Sequence, residues 1–121
     1  MIRKIDEIEY ASLLYDFYGG LLDENKRDIM SLYHDENLSL SEISKEIGQS
    51  RQAVHYNLKK AESELKKFDE VLNLIPTYLK NIERANIINK HIREILSTEE
   101  LKDISKKNLE DIISIINEMV D

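Results

Sequence analysis

The feature that most constrains the fold of this 121-residue chain is a pair of helix-start signals, at Ser39 and at Ser50, with one glycine in the segment between them. Ser39-Leu40-Ser41-Glu42 is a capping box, in which the serine hydroxyl and the glutamate carboxylate each accept a hydrogen bond from the other residue's backbone N–H. Gly48 follows, where a left-handed residue can turn the chain sharply, and Ser50 can cap the next helix. From Ser39 to Leu65 the sequence therefore predicts a short helix, a tight turn and a longer helix, which is the helix-turn-helix arrangement.

The longer helix has two contrasting faces. Its apolar stripe follows the i, i+4, i+7, i+11 spacing and consists of Val54, Leu58, Ala61 and Leu65. This stripe predicts a face that packs on the two preceding helices. The opposite face is polar and basic, and from Ser50 through Ala61 it contains no acid in a chain with 24 Asp and Glu. Its candidate nucleic-acid-binding residues are Arg51, Gln52, His55, Tyr56, Lys59 and Lys60.

These side chains suit contact with DNA, because the second helix of such a motif enters the major groove with its N-terminal residues. Arg51 can pair with guanine or with a phosphate, Gln52 can bridge adenine edges, and Ala53 can touch a thymine methyl group. The other four candidates are expected to hold backbone phosphates. The alternative interpretation is a solvated basic face whose charges pair with neighbouring acids.

The overall charge restricts this prediction. The net charge is −7, and from residue 1 to 65 eight Lys and Arg stand against thirteen Asp and Glu. Affinity for phosphate comes mainly from Lys and Arg, so nucleic-acid binding cannot be a property of the whole surface. Any contact with DNA must be local to the longer helix.

Several classes of protein are not expected. There is no cysteine, so neither disulfides nor thiolate metal sites can hold the fold. The N-terminus lacks the apolar run of a signal peptide, and no membrane-spanning stretch is present, which favours a cytoplasmic protein. His34, His55 and His91 lie in separate predicted elements, and we find no nucleophile beside a base and no phosphate-binding loop. We expect no enzyme activity, no cofactor and no metal.

Two further helices are predicted before the motif. Ile5, Ile8, Leu13 and Phe17 recur at roughly helical spacing and mark the first, which Gly19-Gly20 ends. Asp23 stands where the N-cap of the second belongs. The fold class is thus all-α, with a helix-turn-helix domain at residues 1–75.

A C-terminal helical region is predicted at residues 76–121. Pro76 should break or kink the long helix, which places a boundary near residues 74–77. Amphipathic helices follow, and Ser97-Thr98-Glu99-Glu100 predicts the start of a short one by the capping-box signal. The many isoleucines of this region either fold back on the N-terminal domain or pair between chains, and we favour a homodimer.

The stretch from residue 21 to 68 also resembles a known module, region 4 of bacterial sigma factors. It reads LLDENKRDIMSLYHDENLSLSEISKEIGQSRQAVHYNLKKAESELKKF. The shared order is a helix, an L-S-x-x-E-I helix, Gly-x-Ser-Arg and a Val-x-x-x-Leu stripe. More narrowly, DFYGGLL at Asp16 to Leu22 and SRQAV at Ser50 to Val54 resemble the YlxM family of small helix-turn-helix proteins. This resemblance covers roughly the first 75 residues.

The YlxM resemblance implies a cytoplasmic regulatory protein that is linked to the signal recognition particle pathway. The leading prediction from the residues is DNA binding by the longer helix. The competing prediction is an accessory protein that contacts protein or RNA components of the signal recognition particle without binding DNA. A third interpretation is a helical domain with no specific ligand.

Overall fold

The structure, a computed structural model, describes residues 5–98 and 100–120. These residues form α-helices and one 3₁₀ turn, Gly19–Leu21, and contain no strand. The helices are α1 (Glu7–Tyr18), α2 (Glu24–His34), α3 (Leu40–Ile47), α4 (Arg51–Leu72), α5 (Leu74–Leu96) and α6 (Asp103–Val120). The predicted all-α class is confirmed.

The first compact unit, Ile5–Ile75, is organised around α4, which packs against α1, α2 and α3. The predicted stripe of α4 is confirmed, because all four of its side chains are at most 4% exposed. They meet Ile29 and Met30 of α2 and Ile43 of α3 in one core, where each is at most 1% exposed. Burying a side chain of this size contributes about 1.5–3 kcal/mol, so this stripe largely sets the position of α4.

The first predicted helix is present as α1, but the core buries other side chains than the four that marked it. Ile8 is 80% exposed and Phe17 is 37% exposed, whereas Leu14 and Tyr18 are at most 2% exposed. Ile5 precedes the helix, whose N-cap is Asp6. The mixed apolar residues of α1 fit more than one helical face, and the interactions of Tyr18 with distant residues decide which face is buried.

A buried carboxylate joins the two ends of this unit. Asp69 of α4 is 5% exposed, and its oxygens accept hydrogen bonds from the hydroxyls of Tyr18 (2.6 Å) and Tyr10 (3.1 Å) and from the backbone N–H of Ile75 (3.1 Å). The Tyr18 hydroxyl in turn accepts from the N–H of Leu74 (3.1 Å). Burial, and then the hydrogen bonds to Asp69, raise the pKa of both tyrosines. Asp69 therefore ties α1 to the junction of α4 and α5.

The break after α4 comes earlier than Pro76. Asn73 ends α4 in the left-handed conformation (φ 56°), and α5 begins at Leu74. Pro76 thus lies in the first turn of α5, where its missing N–H removes no helical hydrogen bond. The proline follows the start of a helix instead of ending one.

The second compact unit comprises residues 76–120 of the described chain and holds most of α5 and all of α6. Among its described residues only Ala85 and Ile92 are buried, and α6 buries none. The side chains of Asn89 and Asn117 connect the two helices by a hydrogen bond of 3.0 Å. No described helix is long and apolar enough to span a membrane.

The short helix predicted from Ser97 onward is wrong for the described residues. The hydroxyls of Ser97 and Thr98 donate back to the carbonyls of Glu94 (2.6 Å) and Ile95 (2.9 Å), so they close α5 instead of opening a new helix. Glu99 lies outside the described residues, and the next helix begins only at Asp103. Serine and threonine hydroxyls can hydrogen-bond to backbone groups before or after them in the chain, so the local pattern does not show whether they start a helix or end one.

Candidate nucleic-acid interface

Local hydrogen bonds build the α3–turn–α4 unit as the sequence predicts. The Ser39 hydroxyl accepts from the N–H of Glu42 (3.2 Å), and the Glu42 carboxylate accepts from the N–H of Ser39 (3.1 Å). These bonds lower the pKa of Glu42, the backbone bond most. Gly48 adopts φ 69°, a left-handed conformation that glycine takes without steric penalty. The Ser50 hydroxyl caps α4 by accepting from the N–H of Ala53 (3.1 Å).

The turn is also held from α2. The side chain of Gln49 donates to the Asn25 side-chain oxygen at 2.6 Å, and the Ser44 hydroxyl donates to the Gln49 carbonyl. The N-cap of α2 is Asp23, as predicted, which accepts from the N–H of Lys26 (2.9 Å). Because both ends of the turn are tied down, the direction in which α4 leaves it is well defined.

The structure places all six predicted site residues on the solvent-facing side of α4. Arg51, Gln52, His55, Tyr56, Lys59 and Lys60 are each exposed. Their spacing of one, three and four residues keeps them on one half of the helix, opposite the buried stripe. The helix thus presents a continuous polar surface that begins at its N-terminus.

The N-terminus of α4 differs from the starts of most other helices in this chain. The helices α1, α2, α3 and α6 each carry an acidic residue in the first turn, as the helix dipole favours. The first turn of α4 contains no acid and begins with Arg51. Backbone N–H groups and a guanidinium at a helix start form an environment that suits an anion such as phosphate. This end of α4 is therefore arranged for a negatively charged partner.

Two lysines of the face already make contacts within α4. The ammonium of Lys59 lies 3.6 Å from the Glu62 carboxylate, and that of Lys60 lies 5.8 Å from the centre of the Tyr56 ring. Exposed contacts of this kind contribute little, so both lysines can exchange them for a phosphate. Arg51 makes no ion pair with any residue that the structure describes.

Acidic residues of α2 border this surface on one side. A shallow depression of about 560 Å³ lies between them and α4, and its lining residues are Asp23, Glu24, Asn25, Lys26, Asp28, Asn57 and Lys60. Lys26 bridges Asp23 (2.9 Å) and Glu64 (3.0 Å), which raises the pKa of Lys26. The pKa of Asp23 is lowered by its bonds to Lys26, with a smaller contribution from Lys60. Lys60 is thus the candidate that faces the acids at the start of α2.

The candidate surface predicted from the sequence ends at Lys60, but basic side chains are also exposed further along α4. Lys66 and Lys67 are exposed on α4 and follow Lys59 and Lys60 by seven residues, two helical turns. The same spacing rule that grouped the first six residues identifies these two. They extend the surface toward the C-terminal half of the helix.

A capped supporting helix, a left-handed glycine turn and an exposed second helix define this chain as a helix-turn-helix protein. A family model described as "Putative helix-turn-helix protein, YlxM / p13 like" matches residues 5–112. The chain belongs to this family, UPF0122, as its resemblance in sequence predicted.

Two relatives illustrate the similarity. A UPF0122 protein of Thermoanaerobacter sp. (strain X514) is 38% identical over 114 residues, which cover 94% of this chain and 97% of the relative. A UPF0122 protein of Bacillus cereus (strain AH187) is 38% identical over 100 residues, which cover 83% of this chain and 84% of the relative. The similarity therefore extends well beyond the helix-turn-helix into the C-terminal helices.

Proposed function

We propose that this protein binds duplex DNA through the exposed face of α4 and acts as a regulator. The observation that carries the proposal is the combination, on one helix, of an acid-free first turn and six exposed polar or basic side chains opposite a buried stripe. The membership of a helix-turn-helix family supports it. The packing of α4 in the core requires neither the acid-free first turn nor the exposed polar and basic side chains.

The residues divide into two groups by position. Arg51 and Gln52 stand in the first turn, where a recognition helix contacts base edges, so they are expected to set sequence preference. His55, Tyr56, Lys59 and Lys60 lie further along the helix and are expected to hold phosphates on the groove walls. Phosphate contacts position the helix without distinguishing one sequence from another.

The first experiment is a titration of the protein with mixed duplex DNA at two salt concentrations. Binding should weaken steeply with salt, because each phosphate contact releases a counterion. Arg51→Ala should lower affinity about 10-fold or more and broaden the range of bound sequences, whereas Lys59→Ala should weaken binding to all sequences alike. The control is Lys80→Ala, which removes the same charge from an exposed position of α5. If Arg51→Ala and Lys59→Ala bind as tightly as the wild type, α4 is not the interface.

A second candidate function is that of an accessory protein that contacts components of the signal recognition particle. The acidic residues Asp23, Glu24 and Asp28 beside α4 favour it, since they repel phosphate and attract a positively charged protein surface. Glu24→Gln with Asp28→Asn separates DNA binding from contact with a basic protein of the particle. Removing these charges should strengthen binding to DNA, whereas it should weaken binding to a basic protein of the particle. The particle's RNA is included in the titration, and RNA binding should respond as DNA binding does.

A further inference from the structure

The outward side of α6 carries an unpartnered apolar stripe with one polar residue in it. The stripe consists of Ile104 (76% exposed), Ile112 (42%), Ile115 (55%) and Met119 (77%), with the exposed Asn108 between the first two isoleucines. A second set of apolar residues lies on a neighbouring side of α6 and is partly covered, namely Leu109, Ile113, Ile116 and Val120. The apolar surface of this helix is therefore wider than the second unit itself covers.

The spacing of the stripe suits a straight helix pair. Its members follow each other by four, four, three and four residues, so Ile104 and Ile115, and likewise Asn108 and Met119, are eleven residues apart. Eleven residues correspond to three turns at about 3.67 residues per turn, close to the 3.6 of an undistorted helix. The stripe thus stays on one line for about 22 Å, long enough for knobs-into-holes packing against another helix.

Asn108 determines which partner fits. Its amide has two donors and two acceptor positions, and an apolar partner surface would leave all of them unpaired when water is excluded. A second copy of α6 related by a two-fold axis brings Asn108 opposite Asn108, and the two side chains can then donate to and accept from each other. A single asparagine in the apolar seam of a coiled coil is an established means of selecting the register and the number of helices.

We propose that α6 mediates homodimerisation through this stripe and that the pairing of Asn108 with its symmetry mate sets the register. The interface lies on the second unit and does not involve the exposed face of α4. Dimer formation is thus independent of DNA binding, and either can fail without the other.

Sedimentation of the full chain over a range of concentrations tests the proposal. The wild type should sediment as a dimer, and Ile115→Glu should weaken dimerisation about 100-fold or more, because it places one charge from each chain in the apolar seam. Ser114→Glu is the matched control, since it introduces the same side chain one residue away on the charged side of α6. It should leave the dimer unchanged. A wild type that stays monomeric, or a dimer that Ile115→Glu leaves intact, overturns the proposal.

Crosslinking provides a second test that does not depend on how well a charged variant folds. The chain has no cysteine, so Asn108→Cys introduces its only thiol. A disulfide requires Cα atoms within about 7 Å, which a two-fold pairing at residue 108 satisfies. Mild oxidation should convert Asn108→Cys into a covalent dimer much faster than Ser114→Cys. Equal rates for the two variants would show that the stripes do not face each other.

Discussion

The two compact units of this protein bury their apolar residues to very different extents. In the first unit each of α1, α2, α3 and α4 contributes a side chain that is at most 2% exposed. In the described part of the second, the most buried residues are Ala85 (5%) and Ile92 (7%), and α6 buries none. The first unit therefore has a core of its own, whereas the second still exposes apolar surface of the kind that interfaces cover. Similar amphipathic patterns in one sequence thus lead to different degrees of burial.

The largest expected effect comes from matched isoleucine truncations in the two units. Ile43→Ala should lower the free energy of unfolding by about 4 kcal/mol, because Ile43 is fully buried and its loss leaves a cavity. Ile87→Ala, at a position on α5 that is 49% exposed, should lower it by about 0.5 kcal/mol. Urea denaturation of both variants measures the difference. Equal losses would mean that the second unit is packed as tightly in solution as the first.

An intermediate effect is expected at the buried carboxylate of the first unit. Tyr18→Phe should lower the free energy of unfolding by about 2 kcal/mol, since it removes a 2.6 Å hydrogen bond to the buried charge of Asp69. Tyr56→Phe is the control, because Tyr56 is 63% exposed. Thermal denaturation should show no loss for the control. A stable Tyr18→Phe variant would indicate that water replaces the missing donor.

The same site predicts a dependence on alkaline pH. The pKa of Tyr10 and of Tyr18 is raised in the folded state, so the folded protein holds these protons more tightly than the unfolded chain. Their contribution to stability is complete below the unfolded pKa of about 10 and is lost as the pH rises above it. Denaturation midpoints measured from pH 8 to 11 should fall only in the upper part of that range. Tyr18→Phe should show a shallower fall, and an identical slope would assign the effect to other groups.

The smallest effect is expected for two serines at helix termini. Ser39 caps the start of α3 in the first unit, and Ser97 bonds the end of α5 in the second. Ser39→Ala should cost about 1 kcal/mol, because it removes one half of the capping box of α3. Ser97→Ala should cost a few tenths of a kcal/mol at most, since the Ser97 hydroxyl only donates to the exposed carbonyl end of α5. Circular dichroism melting curves resolve the two if the buffer and concentration are the same. A larger loss for Ser97→Ala would show that the end of α5 is more ordered by this bond than its exposure suggests.

The parts of the fold that sequence predicted correctly are those that depend on near neighbours. The caps at Asp23, Ser39 and Ser50 and the left-handed Gly48 all rest on residues within four positions in the chain. The buried stripe of α4 depends only on helical periodicity, and so does the exposed face that it leaves opposite. For this reason the six residues of the candidate interface could be grouped before the fold was known, although their role stays a prediction.

Two features that the sequence did not predict, the burial of Asp69 and that of Tyr18, depend on contacts between distant residues. Asp69 looks like one more surface acid in a charged helix, and only the approach of Tyr10 and Tyr18, more than fifty residues earlier, makes it a buried acceptor. The same contact turns Tyr18 inward and leaves Ile8 in solvent. The error at Ser97 is local: the residue stands in a helix-start sequence, but its hydroxyl donates to the carbonyl of Glu94, three residues earlier, and so closes α5.

The sequence by itself thus determined the all-helical class, the helix-turn-helix with its turn at Gly48, and the set of side chains that α4 offers to a partner, since these follow from caps and periodicity over a few residues. The tertiary structure decided which face of α1 is buried, how Asp69 is satisfied, and how close the acids of α2 lie to Lys60. It also decided that α6 keeps an apolar stripe in solvent. These outcomes depend on which segments meet in space, and periodicity shows that a helix has an apolar face without showing what covers it.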